Sequence, residues 1–275
     1  MTEHAGGKFR GALTQALSAS AAPSAQVGMP LERFQAWRAS PLSISQKDHD
    51  RICMGGFVDV QKADGVTASA KCPMCEFQRS QQDFVRKLRT AGVGERYLNV
   101  EWDDLDLSEP IFQRIRKACG NIDRIVREGR SLILWGKPGL GKTQMSVLIG
   151  KAALRAGYSV HLVNLGRVAC MVRDYESAEL SEAQAVAMMA SADLLLLEDL
   201  GAGESDKLKV ERRLLYLALE ERMNNNRPTI ITTNCTVPEL TDVYGARIMH
   251  RLQPCQMLEV NHKTNFRLRV VDELW

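Results

Sequence analysis

Ser131-Leu132-Ile133-Leu134-Trp135-Gly136-Lys137-Pro138-Gly139-Leu140-Gly141-Lys142-Thr143 is the stretch on which the reading of this chain turns. Five residues with an apolar centre read as a strand, and a helix with apolar Met145, Val147, Leu148 and Ile149 follows. Between them stands G-x-x-x-x-G-K-T, the pattern of a phosphate-binding loop in its strand-loop-helix setting. Glycines let backbone N–H groups converge on phosphate oxygens, and the helix N-terminus adds positive potential. In such a loop Lys142 pairs with the β- and γ-phosphates and the Thr143 hydroxyl goes to Mg²⁺. The expected nucleotide-binding residues are therefore Gly136, Pro138, Gly139, Leu140, Gly141, Lys142, Thr143 and Gln144, with ATP and Mg²⁺ as cofactors.

Around this loop, long helical stretches alternate with short apolar runs. Ile111–Glu128 places Ile111, Ile115, Ala118, Ile122 and Ile125 at three- and four-residue steps, which predicts one amphipathic helix. Segments 131–135, 159–164, 193–197, 228–233 and 256–260 read as strands, predicting an α/β domain with a parallel sheet. The run Leu194–Leu197 ends in Glu198-Asp199, and carboxylates at a strand end beside a phosphate loop suit a metal ion and an attacking water. The strand Thr229–Thr233 runs out to Asn234, an amide able to sense the γ-phosphate or serve as a turn residue. In Gly245-Ala246-Arg247-Ile248-Met249-His250-Arg251-Leu252, Arg247 and Arg251 share one helical face. An arginine offered to a neighbouring subunit's γ-phosphate stabilises transition-state charge.

The N-terminal third has a different character. Residues 1–40 read as a flexible leader, though Leu31–Arg38 has the makings of one or two helical turns before Ser40-Pro41. Residues 41–94 form a small unit in which His49-x3-Cys53 and Cys72-x2-Cys75 stand eighteen residues apart. Four borderline or soft ligands in two close pairs suit tetrahedral Zn²⁺, and so short a segment has little core of its own. Cys119, Cys170, Cys235 and Cys255 read as packing residues. Residues 95–275 make up the third division.

Composition sets the outer limits. With 45% hydrophobic and 25% charged residues, the 275-residue chain is long enough for one large core and an accessory domain. No apolar run approaches a membrane span, so a water-soluble chain is expected. The Ala/Ser-rich start does not read as a secretory signal, and seven cysteines without a framework suit a reducing cytoplasm. The net charge of +3 lies wholly in residues 1–95, with 12 Lys/Arg against 9 Asp/Glu, too mild an excess to establish nucleic-acid binding.

The order of phosphate loop, acidic strand end, T-T-N strand end and G-A-R-I-M-H-R-L resembles the AAA+ ATPases of the DnaC/IstB type, over residues 95–270. Glu95-Arg96-Tyr97-Leu98 is similar to that family's lead-in, and Asn265-Phe266-Arg267-Leu268-Arg269-Val270 to its C-terminal segment. The resemblance implies that Asn234 is a sensor, Arg251 the trans-acting arginine finger with Arg247 next, and Arg267 or Arg269 a second sensor in cis. The family usually reads Asp-Asp or Asp-Glu at the strand end. Here Glu198 takes the metal side and the shorter Asp199 the water-activating position, so slow hydrolysis is expected.

The resemblance further implies a loader that binds a hexameric replicative helicase, delivers it to single-stranded DNA and self-associates through its ATP site. By analogy Arg167, Arg173, Tyr175, Lys207 and Lys209 are candidate DNA contacts. The alternatives are a transposition helper ATPase and a nucleotide-gated adaptor with little hydrolysis.

Overall fold

The computed structural model describes residues 28–173, 180–202, 208–262 and 266. The chain divides between Asp83 and Phe84 into two compact units, within the helix Pro73–Thr90.

In the first unit, β1 (Met29–Pro30) pairs parallel with β2 (Phe57–Gln61), which pairs antiparallel with β3 (Thr67–Lys71). The helices Leu31–Ala39 and Gln46–Ile52 accompany this sheet. Its core joins Phe34, Trp37, Ile44, Val58, Val60, Cys72 and Met74. The expected leader is corrected here: residues 28–40 are part of this unit, because Trp37 is wholly buried and its indole N–H donates to the Pro41 carbonyl at 2.9 Å. Residues 1–27 lie outside the described residues.

The second unit carries the parallel sheet expected from the sequence. Its five strands, β4 (Leu132–Trp135), β5 (Val160–Asn164), β6 (Leu194–Leu200), β7 (Thr229–Thr233) and β8 (Gln256–Glu259), run in the order β5-β6-β7-β4-β8. β6 is buried on both faces, which is why it reads as unbroken leucine rather than as alternation. It also outlasts the expected strand, running to Leu200, and Glu198 and Asp199 fall within a register irregularity between Leu197 and Leu200. One apolar cluster gathers on Phe112, Met145, Leu148, Ile149 and Leu196, and another on Leu195, Leu197, Leu214, Leu215 and Ile231.

The single helix expected over 111–128 is two, Pro110–Gly120 and Ile122–Arg127. Asn121, with φ −113° and ψ 26°, breaks the run, and its side-chain amide donates to the Lys117 carbonyl at 2.8 Å. The apolar face survives because Ile111, Ile115 and Ile122 are still buried.

Arg222, fully buried in the helix Leu208–Asn224, locks the start of two strands. It donates to the carbonyls of Met189 (2.9 Å), Ala192 (2.8 Å) and Pro228 (2.5 Å) and to Thr229 Oγ1 (3.0 Å). Burial pulls its pKa down to about 10. Arg222→Leu leaves several buried carbonyls without a donor and should cost about 3 kcal/mol or more, read as a lower urea midpoint; an unchanged midpoint would contradict this role.

Candidate functional site

The loop between β4 and the helix Lys142–Arg155 is shaped by what lies behind it. A Cβ on Gly136 (φ +147°) would stand 2.4 Å from the Val260 carbonyl oxygen, so only glycine lets the chain leave β4 beside the end of β8. Gly141, at φ +76°, caps the helix in the left-handed region. Lys142 is buried, and its ammonium donates to the carbonyls of Gly136 (2.7 Å) and Lys137 (2.9 Å) and to Asn234 Oδ1 (2.7 Å). The expected phosphate lysine and sensor amide thus meet across two strand ends.

Glu198 lies beneath the loop with 5% of its surface exposed. Its Oε2 accepts from Thr143 Oγ1 at 2.6 Å and from Thr232 Oγ1 at 3.1 Å. Burial pushes its carboxyl pKa up, while the hydroxyls of Thr143, Ser146 and Thr232 act in the opposite sense. Its Oε1 is buried with no hydrogen-bond partner among the described residues. A divalent cation fits that donor set, because the unpaired oxygen and the adjacent hydroxyl are hard ligands of the kind Mg²⁺ takes beside phosphates. Asp199 is exposed and holds φ +53°, rare for a residue with a side chain, and Thr232 Oγ1 accepts from its amide at 3.0 Å. The local irregularity of β6 therefore buries one carboxylate and turns the next outward.

A cavity of about 490 Å³ opens over these groups, lined by Gly139, Gly141, Lys142, Thr143, Gln144, Asp199 and Asn234, together with Arg96, Tyr97 and Phe266. Pro138 and Leu140 do not line it, although both belong to the loop. Gln144 has a buried Oε1 with no hydrogen-bond partner among the described residues. Of the lining residues, Arg96 and Tyr97 came from the sequence only as part of a lead-in, and Phe266 only as a neighbour of the expected second sensors. The Arg96 guanidinium lies 4.7 Å from the Tyr97 ring centroid, a cationic and aromatic pair at the mouth of a phosphate site. Arg267 and Arg269 lie outside the described residues.

The two candidate finger arginines converge on one side chain. Arg251 and Arg247 lie over the Tyr216 ring at 3.9 and 4.5 Å, and both donate to its hydroxyl, at 2.5 and 2.9 Å. Arg251 also pairs with Glu220 at 3.0 Å and is 18% exposed, whereas Arg247 is exposed. Of the candidate DNA contacts, Arg167 and Lys209 are exposed, each in the first turn of its helix. The side chain of Arg173, and Tyr175 and Lys207 altogether, lie outside the described residues.

In the first unit, the ligand atoms of His49, Cys53, Cys72 and Cys75 all lie within 4.8 Å of one another. His49 Nε2 is 3.3 Å from Cys75 Sγ, which is 3.6 Å from Cys53 Sγ. The other ring nitrogen, Nδ1, lies 3.0 Å from Asp50 Oδ1, an arrangement that leaves Nε2 aimed at the thiols. One histidine and three cysteines at this separation suit tetrahedral Zn²⁺. Burial and the neighbouring thiols push the Cys75 pKa up to about 12. Of the remaining cysteines, Cys119, Cys235 and Cys255 pack against the apolar clusters, but Cys170 is exposed, which corrects its reading as a packing residue.

The family model described as IstB-like ATP binding protein matches residues 76–269. The replicative helicase loader DnaC of Escherichia coli (strain K12) is 24% identical over 195 residues, covering 70% of this chain and 78% of the relative. The replicative helicase loader DnaI of Bacillus subtilis (strain 168) is 24% identical over 201 residues, covering 66% and 63%. A crystal structure of the DnaC helicase loader shares the fold with a TM-score of 0.52 at 22% identity, over 61% of this chain and all of that one. Among the described residues no helix is long and apolar enough to cross a membrane.

Two outcomes follow from this geometry. Lys142→Ala should weaken nucleotide binding by about 10- to 100-fold in a fluorescent-nucleotide titration; unaltered affinity would contradict the site. Elemental analysis of the purified chain should find about one zinc per chain and none after Cys72→Ser with Cys75→Ser.

Proposed function

The chain belongs to the IstB-like ATP-binding proteins, and from that premise we propose that it is an ATP-hydrolysing loader that binds a hexameric replicative helicase and delivers it to single-stranded DNA. The observation that carries the ATP-driven part is the meeting of Lys142 with Asn234 and of Thr143 with Glu198, which brings loop, sensor amide and metal-side carboxylate to three neighbouring strand ends. The helicase part is supported by relatives named replicative helicase loaders over about two thirds of the chain.

In this reading Lys142 and the loop amides grip the phosphates, and Thr143 and Glu198 hold Mg²⁺, which would neutralise charge on the β- and γ-oxygens. Asp199 orients the attacking water, and Asn234 follows the γ-phosphate. Tyr97 and Arg96 offer faces on which a purine can stack. Chains associate so that Arg251 of one meets the phosphates bound by the next. That arginine must first exchange its ion pair with Glu220 for the phosphate, so turnover depends on assembly. The His49, Cys53, Cys72 and Cys75 cluster holds Zn²⁺ and stabilises a unit that engages the helicase. Exposed Arg167 and Lys209 offer cationic contacts to the DNA backbone.

One observation favours a second reading, an adaptor that uses ATP chiefly to assemble. Asp199 is the shorter carboxylate at the water position and is held by a strained backbone, and a small shortfall in reach lowers turnover steeply.

Co-purification with candidate replicative helicases in ATP, ADP and no nucleotide tests the partner and the switch together. Nucleotide-dependent capture is expected; capture of a transposase instead would make the chain a transposition helper. Arg251→Ala should spare ATP binding yet lower assembly-dependent turnover by about 10³-fold or more. An unchanged rate would move the finger to Arg247 or remove it, and turnover that stays negligible with helicase and single-stranded DNA present would favour the adaptor.

A further inference from the structure

The phosphate loop is held from its outer side by the segment that follows β8. Beyond β8, the Val260 amide donates to the Trp135 carbonyl at 2.8 Å, carrying the chain alongside the loop. His262 Nε2 lies 2.9 Å from the Leu140 carbonyl oxygen, and the Phe266 amide donates to the Gly139 carbonyl at 2.8 Å. The Phe266 ring stands so close that a Cβ on Gly141 would approach it to 2.9 Å. The His262 ring is fixed in turn: it packs 4.9 Å from Phe112, a fully buried residue of the helix Pro110–Gly120, and 5.9 Å from Phe266.

A carbonyl oxygen only accepts, so Nε2 carries the proton. Nδ1 is then the bare nitrogen, and it is buried with no hydrogen-bond partner among the described residues. A tautomer with Nδ1–H would lose the Leu140 bond and bury an unpaired donor, so the surroundings select one form.

The consequence comes from peptide planarity. The described residues contain no cis peptide bond, and in a trans peptide the C=O and the following N–H point in opposite directions. Holding the Leu140 carbonyl toward His262 turns the Gly141 N–H away from His262, and Gly141 is itself one of the residues that line the cavity. Holding the Gly139 carbonyl toward Phe266 fixes the Leu140 N–H in the same manner. Loop amides that face the phosphate before it arrives need no reorganisation on binding, which raises affinity.

We propose that His262 is a positioning residue of the nucleotide site, one that aims the Gly141 amide at the phosphates by holding the Leu140 carbonyl outward, with the Phe266 main chain acting beside it. This deepens the ATP-site reading and rests on it.

The test is ADP affinity of the full chain by calorimetry. His262→Phe keeps a ring against Phe112 but has no donor, and should weaken ADP binding on the order of tenfold. His262→Gln restores a side-chain N–H and should stay within about threefold of the unmodified chain. Unaltered affinity in His262→Phe, or an equal loss in both variants, would overturn the proposal by reducing the histidine to packing. Nitrogen-15 NMR of the unmodified protein needs no variant: an Nε2–H tautomer at His262 is expected, and an Nδ1–H tautomer overturns the proposal. If the unmodified chain fails to bind ADP at all, the ATP-site reading falls as well, which separates the two failures.

Discussion

Glu198 is a carboxylate buried at the end of four consecutive leucines, and placing a charge there is costly unless it is matched. Two hydroxyls, from Thr143 and Thr232, match half of it through one oxygen. The remaining oxygen has no hydrogen-bond partner among the described residues, and burial raises the carboxyl pKa. A fold selected only for stability would place an apolar residue here, as it does at Leu194–Leu197. The threonine on β7 and Thr143 hold Oε2, an arrangement that leaves Oε1 as the oxygen a divalent cation would fit.

The sheet order explains why these groups can meet. With β7 between β6 and β4, the phosphate loop leaving β4, the Asn234 tip of β7 and the acidic tip of β6 occupy three neighbouring positions at one sheet edge. Parallel pairing aligns their C-terminal ends, since Trp135 lies opposite Thr233 and Leu197 opposite Ile231. Ligands of open α/β sheets bind in the crevice beyond such ends. β8, on the far side of β4, completes the enclosure by bringing its following segment against the loop.

What was legible in the sequence is what is local. Gly136 to Thr143 is a continuous stretch whose glycines announce their own backbone needs, and Leu194–Leu197 announces a strand buried on both faces. The break at Gly120-Asn121 was not legible, because the isoleucine spacing continues across it and conceals it. Trp37 and Phe34 marked an ordered segment inside what composition presented as leader; two large apolar side chains outweigh many alanines and serines when a small core needs filling. Nothing in the spacing of His49 shows that Asp50 orients its ring. Interactions across long separations left no local trace. His262 reaches Leu140 over 122 residues, and Glu220 reaches Arg251 over 31.

Both cations proposed to meet phosphate, Lys142 and Arg251, are already paired within the chain. The Lys142 ammonium has three protons, and among the described residues it donates to two loop carbonyls and to Asn234 Oδ1. An arriving phosphate oxygen must therefore displace one of them. The loop carbonyls are tied to the backbone that itself cradles the ligand, whereas the Asn234 amide is an exposed side chain at a strand tip, so it is the acceptor that yields at least cost. Arg251 stands in the same position toward Glu220, with Tyr216 holding both arginines by ring and hydroxyl. Exchange of one acceptor for another contributes less net free energy than pairing a bare charge, but it spares the isolated chain an unpaired buried ammonium. Asn234 is followed within the same stretch by the helix Val237–Tyr244 and then by the helix Ala246–Leu252 that carries Arg247 and Arg251. Asn234 and the two arginines proposed for a neighbouring subunit's site thus sit on one short segment, so the two proposed exchanges share a covalent connection of fewer than twenty residues.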